Sequence, residues 1–362
     1  MTKNLLLFSC CKIVDGVNRS LIIDIQREQL FGIPLEVSQY IKEHDHYLNY
    51  EELIIDNEPT TINELWQYLL ENELAFYCEP DEGSYYPPIS DDFNIPGIIT
   101  NCIIDINPQN IDMINADILK QLSDLGCHHL QVRFFEVIEI EKFKILLNTI
   151  HASSIRHLEI IINWTPYFTI DNCLQLIRSN PRLKYLFVSS SPEEHSVYSV
   201  SSNNGSLVMT TTPFISSLQC GVISSAYFNF KLDHFTESLH HNTCLNRKIS
   251  IDQDGNIKNC PSMPMSFGHI TKNTLREVVD NPQFQSSWNL KKDMIDKCKD
   301  CEYRHVCTDC RAYTVTPENL LAAPLKCGYN PYTGIWDDWK QEEAKFPIIV
   351  HYKMTSLLKI IG

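Results

Sequence analysis

The 362-residue chain is 43% hydrophobic and 21% charged, an ordinary globular composition with room for two or three domains. Its 30 Lys and Arg stand against 45 Asp and Glu, a net charge of −15, which counts against nucleic acid because a phosphate binder needs a basic surface. No apolar run reaches the roughly 18 residues of a membrane span, and the first ten residues read as a strand rather than a signal peptide, so a soluble, cytoplasmic protein with no membrane partner is expected. The charge is uneven. Residues 42–92 hold 14 acids and one base, which is either a solvated face or a surface for a basic partner such as a Lys-rich peptide.

In chain order, residues 5–14 form an apolar run, Asp15-Gly16-Val17-Asn18 a turn, and residues 20–25 a second strand, which is a hairpin signal. Helical spacing follows over residues 35–41 and 62–70, and Phe76-Tyr77-Cys78 closes the unit as a strand. Residues 79–96 carry Pro80, Gly83, Pro87, Pro88 and Pro96 and read as an irregular connection. Apolar β runs then centre on Ile103, Val132, Ile160 and Phe187. Helical patterns over residues 116–125, 141–149 and 170–178 lie between them. Repeated β-α units of this length predict a parallel sheet in an α/β fold, either open or part of a barrel. Residues 190–215 read as a long loop, with further strands expected at 207–212 and 226–232, and residues 346–354 as a late strand or helix packing back on the body.

Fourteen cysteines is many for such a chain. Cys10, Cys11, Cys78, Cys102, Cys127 and Cys173 share no spacing, sit mostly in apolar runs and read as buried hydrophobes. The other eight fall from Cys220 to Cys327. In a reducing compartment metal is a better explanation for them than disulfides. Cys244 and Cys260 flank a strand, an Asp254-Gly255 turn and a return strand, so a hairpin would bring them together. Cys298-x2-Cys301-x5-Cys307-x2-Cys310 is a tight loop, followed after 16 residues by Cys327. Seven clustered cysteines exceed one four-ligand site, so two sites are the natural count, and spacing alone does not separate zinc from iron-sulfur clusters. The pairs His44/His46, His128/His129 and His240/His241 read as surface or structural histidines.

The ordered pattern Cys244-x10-Gly255-x4-Cys260, Cys298-x2-Cys301-x5-Cys307-x2-Cys310, Cys327 resembles a SPASM domain, the seven-cysteine extension of radical S-adenosylmethionine enzymes that modify peptides. One departure is x2 between Cys307 and Cys310, where the family usually has x3. The resemblance implies two [4Fe-4S] clusters, one on Cys298, Cys301, Cys307 and Cys327. The other would have three corners on Cys244, Cys260 and Cys310, and a fourth that is open or taken by Cys220, His240 or His241.

The Cys-x3-Cys-x2-Cys triplet of a radical S-adenosylmethionine enzyme is absent. The segment after the Ile103 strand reads Asn107-Pro108-Gln109-Asn110, and Phe134-Phe135-Glu136 stands where that family often has Gly-Gly-Glu, so no S-adenosylmethionine cofactor is expected. Over its full length the chain is similar to the SPASM peptide maturases of grasp-with-spasm systems. That likeness rests on Leu7-Phe8-Ser9-Cys10-Cys11, Arg19-Ser20, Cys220-Gly221, Asn242-Thr243-Cys244-Leu245, Lys248-Ile249-Ser250-Ile251-Asp252 and Ile257-Lys258-Asn259-Cys260-Pro261-Ser262-Met263. It implies a winged-helix-like α+β peptide-recognition unit with its linker over 1–96, and a partial (β/α) TIM-like barrel without the radical cluster motif over 97–235. A SPASM domain over 236–345 and a packing segment over 346–362 complete the implied order. The partners implied are an ATP-grasp ligase and a ribosomal precursor peptide. The alternative is a non-catalytic peptide-binding adaptor with zinc or structural clusters.

Overall fold

The computed structural model describes residues 4–200 and 205–359. Residues 1–3 of the expected first strand, 201–204 of the expected loop and 360–362 of the expected C-terminal segment lie outside the described residues.

The N-terminal unit runs β1 (Leu5–Leu7), β2 (Cys11–Asp15), β3 (Ser20–Asp24), β4 (Gln29–Ile33), α1 (Leu35–Glu43), β5 (Tyr47–Leu48), α2 (Tyr50–Asp56), α3 (Pro59–Glu71) and β6 (Ala75–Tyr77). Strands β2, β3 and β4 form an antiparallel meander, and β1 lies between β5 and β6 in a second small sheet. The expected hairpin is present, with Cys11 opposite Asp24 and Asp15 opposite Ser20. Leu5, Ile22, Ile41, Leu48 and Leu69 are fully buried between the strands and helices.

Three features differ from the sequence reading. The apolar run 5–14 is two strands, because the Cys11 amide donates to the Phe8 carbonyl (2.8 Å) and closes a turn. The meander has a third strand, β4, in which burial does not alternate residue by residue and so gives no two-residue period to read. Helix α2 spans seven residues, too few for periodicity to register. Its signal is the Asn49 cap, whose Oδ1 accepts from the amides of Glu51 and Glu52.

The body continues with β7 (Asn101–Ile106), α4 (Ala116–Asp124), β8 (His129–Phe134), α5 (Ile140–His151), β9 (His157–Asn163), α6 (Ile170–Ser179), β10 (Leu183–Ser189), β11 (His195–Val200) and β12 (Gly205–Met209). After α7 (Leu232–His240) come β13 (Lys248–Ile251), β14 (Asn256–Lys258), β15 (Gly268–His269), α8 (Leu275–Val279), α9 (Pro282–Gln285), β16 (Tyr329–Asn330), β17 (Ile335–Trp336) and α10 (Phe346–His351). The expected β-α repeats are all present. Nine strands form one sheet in the order β11-β12-β10-β9-β8-β7-β13-β14-β15, parallel from β12 through β13. The fold is therefore mixed α/β with a large, mainly parallel sheet. Cys102, Ile104, Leu130, Val132, Leu158 and Ile160 share a buried core with Leu119, Phe143 and Ile177 of the helices. The neighbouring strand positions Ile103, Gln131, Arg133 and Glu159 face a cleft on the other side, as the two-residue period of a strand requires.

Most of the expected loop 190–215 is the antiparallel hairpin of β11 and β12. The strand expected at 207–212 is β12, set two to three residues earlier at Gly205–Met209, with Leu207 and Met209 in the core, while its edge-strand partner β11 went unread. The strand expected at 226–232 is absent. Ser224 caps a single turn at Ser225–Tyr227, and Leu232 opens α7. Phe228 and Phe230 are apolar because they pack with Val14, Leu21 and Ile23 of the N-terminal unit and with Val306. At the C-terminal end the ambiguous run is the helix α10, whose Ile349 is buried with Leu245, Tyr313, Leu325 and Trp339.

On α7 the carboxyl of Glu237 accepts a hydrogen bond from Asn246 Nδ2 (2.9 Å), yet burial pushes its pKa up to about 7. The folded state then holds a proton that the unfolded chain has released above its ordinary value near 4.5. Stability is therefore expected to fall as pH rises from about 4.5 to about 7. Glu237→Gln should flatten that slope and raise stability at pH 8 by up to about 2 kcal/mol, allowing for screening at a half-buried site. Urea titrations of both proteins at pH 5 and pH 8 check it, and parallel pH profiles would contradict it.

Candidate metal centre

The hairpin of β13 and β14 builds the first half of the site. Gly255 sits at its turn with a φ of +83°, where a Cβ would lie 2.8 Å from His269 Nε2, so glycine is required. Ser250 faces Lys258, which sends both arms to the same end, one toward Cys244 and the other toward Cys260. Asn242 fixes Cys244 through its Oδ1, which accepts from the amides of Cys244 (3.0 Å) and Leu245 (2.8 Å). Its Nδ2 donates to the Asp309 carboxylate at 2.8 Å, tying the hairpin to the loop that carries Cys310. Asp309 in turn pairs with the fully buried Arg311 (2.7 Å).

The second half is loop structure. The Cys301 amide donates to the Cys298 carbonyl, and the Cys307 amide to the Tyr303 carbonyl. Lys292 Nζ donates to the carbonyls of Cys307 (2.6 Å) and Thr308 (2.9 Å), and Lys345 Nζ to that of Cys327 (2.8 Å). Buried lysines thus brace a segment with little regular structure of its own.

The eight late cysteines fall into two sets of four. Cys298, Cys301, Cys307 and Cys327 line one cavity, walled by Tyr303, Tyr329 and Trp336. Cys220, Cys244, Cys260 and Cys310 line a larger open cleft together with Arg133 and Lys248. His240 and His241 are elsewhere. Their ring nitrogens meet the Asp91 carbonyl (3.0 Å) and Asn289 Oδ1 (3.2 Å), and neither residue lines the cleft. Sequence reasoning missed Arg133, Lys292 and Lys326, which no spacing rule marks, and gave Lys248 no role beyond its place in the family-like segment 248–252.

Burial sets the electrostatics. It pushes the thiols of Cys298 and Cys310 up to about 12, and raises those of Cys260, Cys301 and Cys307. These thiols stay protonated at neutral pH unless a metal displaces the proton. A lysine also stands among the thiols of each set, Lys292 buried in the first and Lys248 half-buried in the second. Burial opposes the charge of Lys248, but Cys244, Cys260 and Cys310 more than offset it when ionised, and Lys248 Nζ lies 3.5 Å from Cys244 Sγ. Lys292 is held charged in the same way by Cys307, Asp309 and Cys298.

The arrangement bears on the two metals that spacing left open. Four thiolates around one zinc, at about 2.3 Å each, stand about 3.8 Å apart. Among the described residues, the one group of three or more Cys, His, Asp or Glu donors lying mutually within 4.8 Å is Cys10, Cys11 and Asp24. There the Asp24 carboxylate already accepts from the amides of Gln26 and Arg27 and from the Arg27 guanidinium. The eight late thiols are therefore spread wider than a mononuclear site allows and converge on cavities, which fits polynuclear clusters.

Comparison with known proteins agrees. Residues 243–311 match the SPASM family, an iron-sulfur cluster-binding domain. The chain therefore carries a SPASM domain and shares partial homology with the radical S-adenosylmethionine/SPASM proteins. The AdoMet-dependent heme synthase of Methanosarcina barkeri is 32% identical over 79 residues, 21% of this chain and 22% of that protein. The AdoMet-dependent heme synthase of Nitratidesulfovibrio vulgaris is 25% identical over 83 residues, 22% of each chain. The match thus spans about a fifth of the length of these curated relatives. Among solved structures, that of Streptococcus suis SuiB bound to S-adenosylmethionine aligns with 88% of this chain and 98% of its own, at 10% identity and a TM-score of 0.32. No helix among the described residues is long and apolar enough to cross a membrane.

Proposed function

We propose that this protein is an iron-sulfur partner in the maturation of a ribosomally made peptide. In this reading it binds the precursor, works with an ATP-grasp ligase, and holds two [4Fe-4S] clusters. The observation that carries it is the pairing of two four-cysteine cavities with a cysteine-free segment after β7. That segment is an Asn107 turn, in which Oδ1 accepts from the amides of Gln109 and Asn110, and Asn110 Nδ2 donates to the Gln253 carbonyl. No thiolate is available there for a cluster that cleaves S-adenosylmethionine, so that cofactor has no role in this reading.

When bound, the clusters supply electron transfer or rigid cross-linking. The chain's own residues half-bury the thiolates and balance their charge with Lys248 and Lys292. The N-terminal unit is the peptide-binding part. Among the described residues β4 pairs only with β3, which leaves one strand edge open to an added peptide strand. Beside it Ile33, Val37, Leu53, Ile62, Leu65 and Tyr68 line a groove with Glu36 and Glu64. The acidic charge of residues 42–92 favours a basic peptide.

Coexpression of this chain with a candidate precursor peptide and an ATP-grasp ligase, followed by mass spectrometry of the precursor, tests the reading. The resemblance implies that the ligase joins side chains of the precursor as esters, and each such link removes the mass of one water. Loss of the modification when this chain is omitted is expected, and modification that is complete without it would overturn the proposal. Modification that survives removal of the clusters but still needs the chain would select the adaptor form, with the metal as structural support.

A further inference from the structure

The cleft of the second cysteine set holds a thiol that lies outside the matched SPASM residues 243–311. Cys220 lines this cleft with Cys244, Cys260 and Cys310. Its segment is pressed against Cys310. Gly221 has a φ of +79°, and a Cβ there would stand 2.6 Å from Cys310 Sγ, so the backbone beside Cys220 passes as close to that sulfur as any residue type permits. The segment is also clamped from the other side. Lys326 Nζ donates to the carbonyls of Leu218 and Cys220, the latter at 2.6 Å, with the Tyr313 ring centroid 4.5 Å from the ammonium. The Ile223 amide donates to the Lys326 carbonyl, and Ile223 bridges Cys327, a member of the other set. Finally, the buried Arg133 points an N–H at Cys220 Sγ, 2.9 Å away, while its other nitrogens hold Asp105. An N–H donated to a sulfur is what a thiolate ligand attracts.

We propose that Cys220 is the fourth ligand of the second cluster, which makes both clusters fully cysteine-ligated and leaves no iron open to substrate. The proposal rests on the two-cluster reading above. It assigns the residues 218–223 a role as the arm that closes the site, with Lys326 and Arg133 positioning that arm.

The test uses anaerobically reconstituted full-length protein and Cys220→Ser. A [4Fe-4S]²⁺ cluster with only three thiolates gives up one Fe²⁺ and one electron to ferricyanide and becomes [3Fe-4S]⁺. The wild type is expected to keep about eight irons and show no [3Fe-4S] signal by electron paramagnetic resonance, whereas Cys220→Ser falls to about seven irons and shows the signal. A wild type that itself converts, or a variant that behaves as the wild type, would overturn the assignment. Should the variant not fold, the wild type alone decides it. Added cyanide is expected to leave the spectrum of the reduced protein unchanged, and a shifted spectrum would reveal an open iron. Iron near four per chain in the wild type would instead overturn the two-cluster reading itself, together with the assignment built on it.

Discussion

Serine in place of Cys298 is expected to remove the cluster of the first set, reducing iron from about eight to about four per chain, and to loosen residues 292–336. The reason is the poverty of regular structure there. Between α9 and α10 lie only short turns, such as Lys292–Met294, and the two-residue strands β16 and β17. A segment with so few backbone ladders cannot repay its conformational entropy by itself. In structural metal sites the binding free energy is folding free energy, on the order of 10 kcal/mol. Even a fraction of that loss should lower Tm by more than about 10 °C. Hydrogen exchange with mass spectrometry should show fast exchange confined to this segment, with β7 to β10 protected as before. Cys173→Ser, at a buried thiol outside both sets, is the control. It should change iron content not at all and cost no more than about 1–3 kcal/mol. Equal exchange in Cys298→Ser and the wild type would show that the loop stands without its cluster.

Arg133→Met is expected to cost roughly 3–5 kcal/mol, because it strands the Asp105 carboxylate in the sheet. The two residues lie opposite each other on β7 and β8 and are joined by two hydrogen bonds, of 2.6 and 2.9 Å. Their exposures are 2% and 3%. Burial alone would lower the Arg133 guanidinium, but Cys220 and Asp105 more than compensate and hold it charged. Replacing both partners with apolar residues, Asp105→Leu with Arg133→Met, should recover most of the loss, since breaking a buried pair costs far more than deleting it. Denaturant titration of the three variants checks this. A cost below about 1 kcal/mol for Arg133→Met alone would mean that water or another group reaches Asp105.

What the sequence made legible follows the physics of each signal. The β-α repeats were readable because Ile103, Val132, Ile160 and Phe187 centre long buried strands separated by helices with an apolar stripe. The Asp254-Gly255 turn was readable because only glycine meets its backbone and steric demands. Strand β4 and helix α2 were not, because one lacks a two-residue alternation of burial and the other is too short to show a period. Phe228 and Phe230 misled because contact with a distant segment makes a loop as apolar as a strand.

The site divides in the same way. Seven cysteines declared themselves by ordered spacing, which is a local property. The resemblance implied the partition into two sets and left Cys220, 24 residues before Cys244, level with His240 and His241; what only three dimensions add is that Cys220 lines the cleft of the second set while the two histidines do not, and where the charged groups stand. Lys292 and Arg133 carry no motif, and the segment holding Lys248 does not disclose its part in the site. All three are recognisable only as charges that burial would expel if thiolates and carboxylates did not hold them.

Iron, acid-labile sulfide and zinc should be measured on protein purified without oxygen, together with a visible spectrum. Two [4Fe-4S] clusters predict a brown protein with about eight irons and about eight sulfides per chain and substoichiometric zinc. A colourless protein with about two zincs and no sulfide would contradict it, and would mean that the two cysteine sets close to mononuclear spacing around a redox-inert metal.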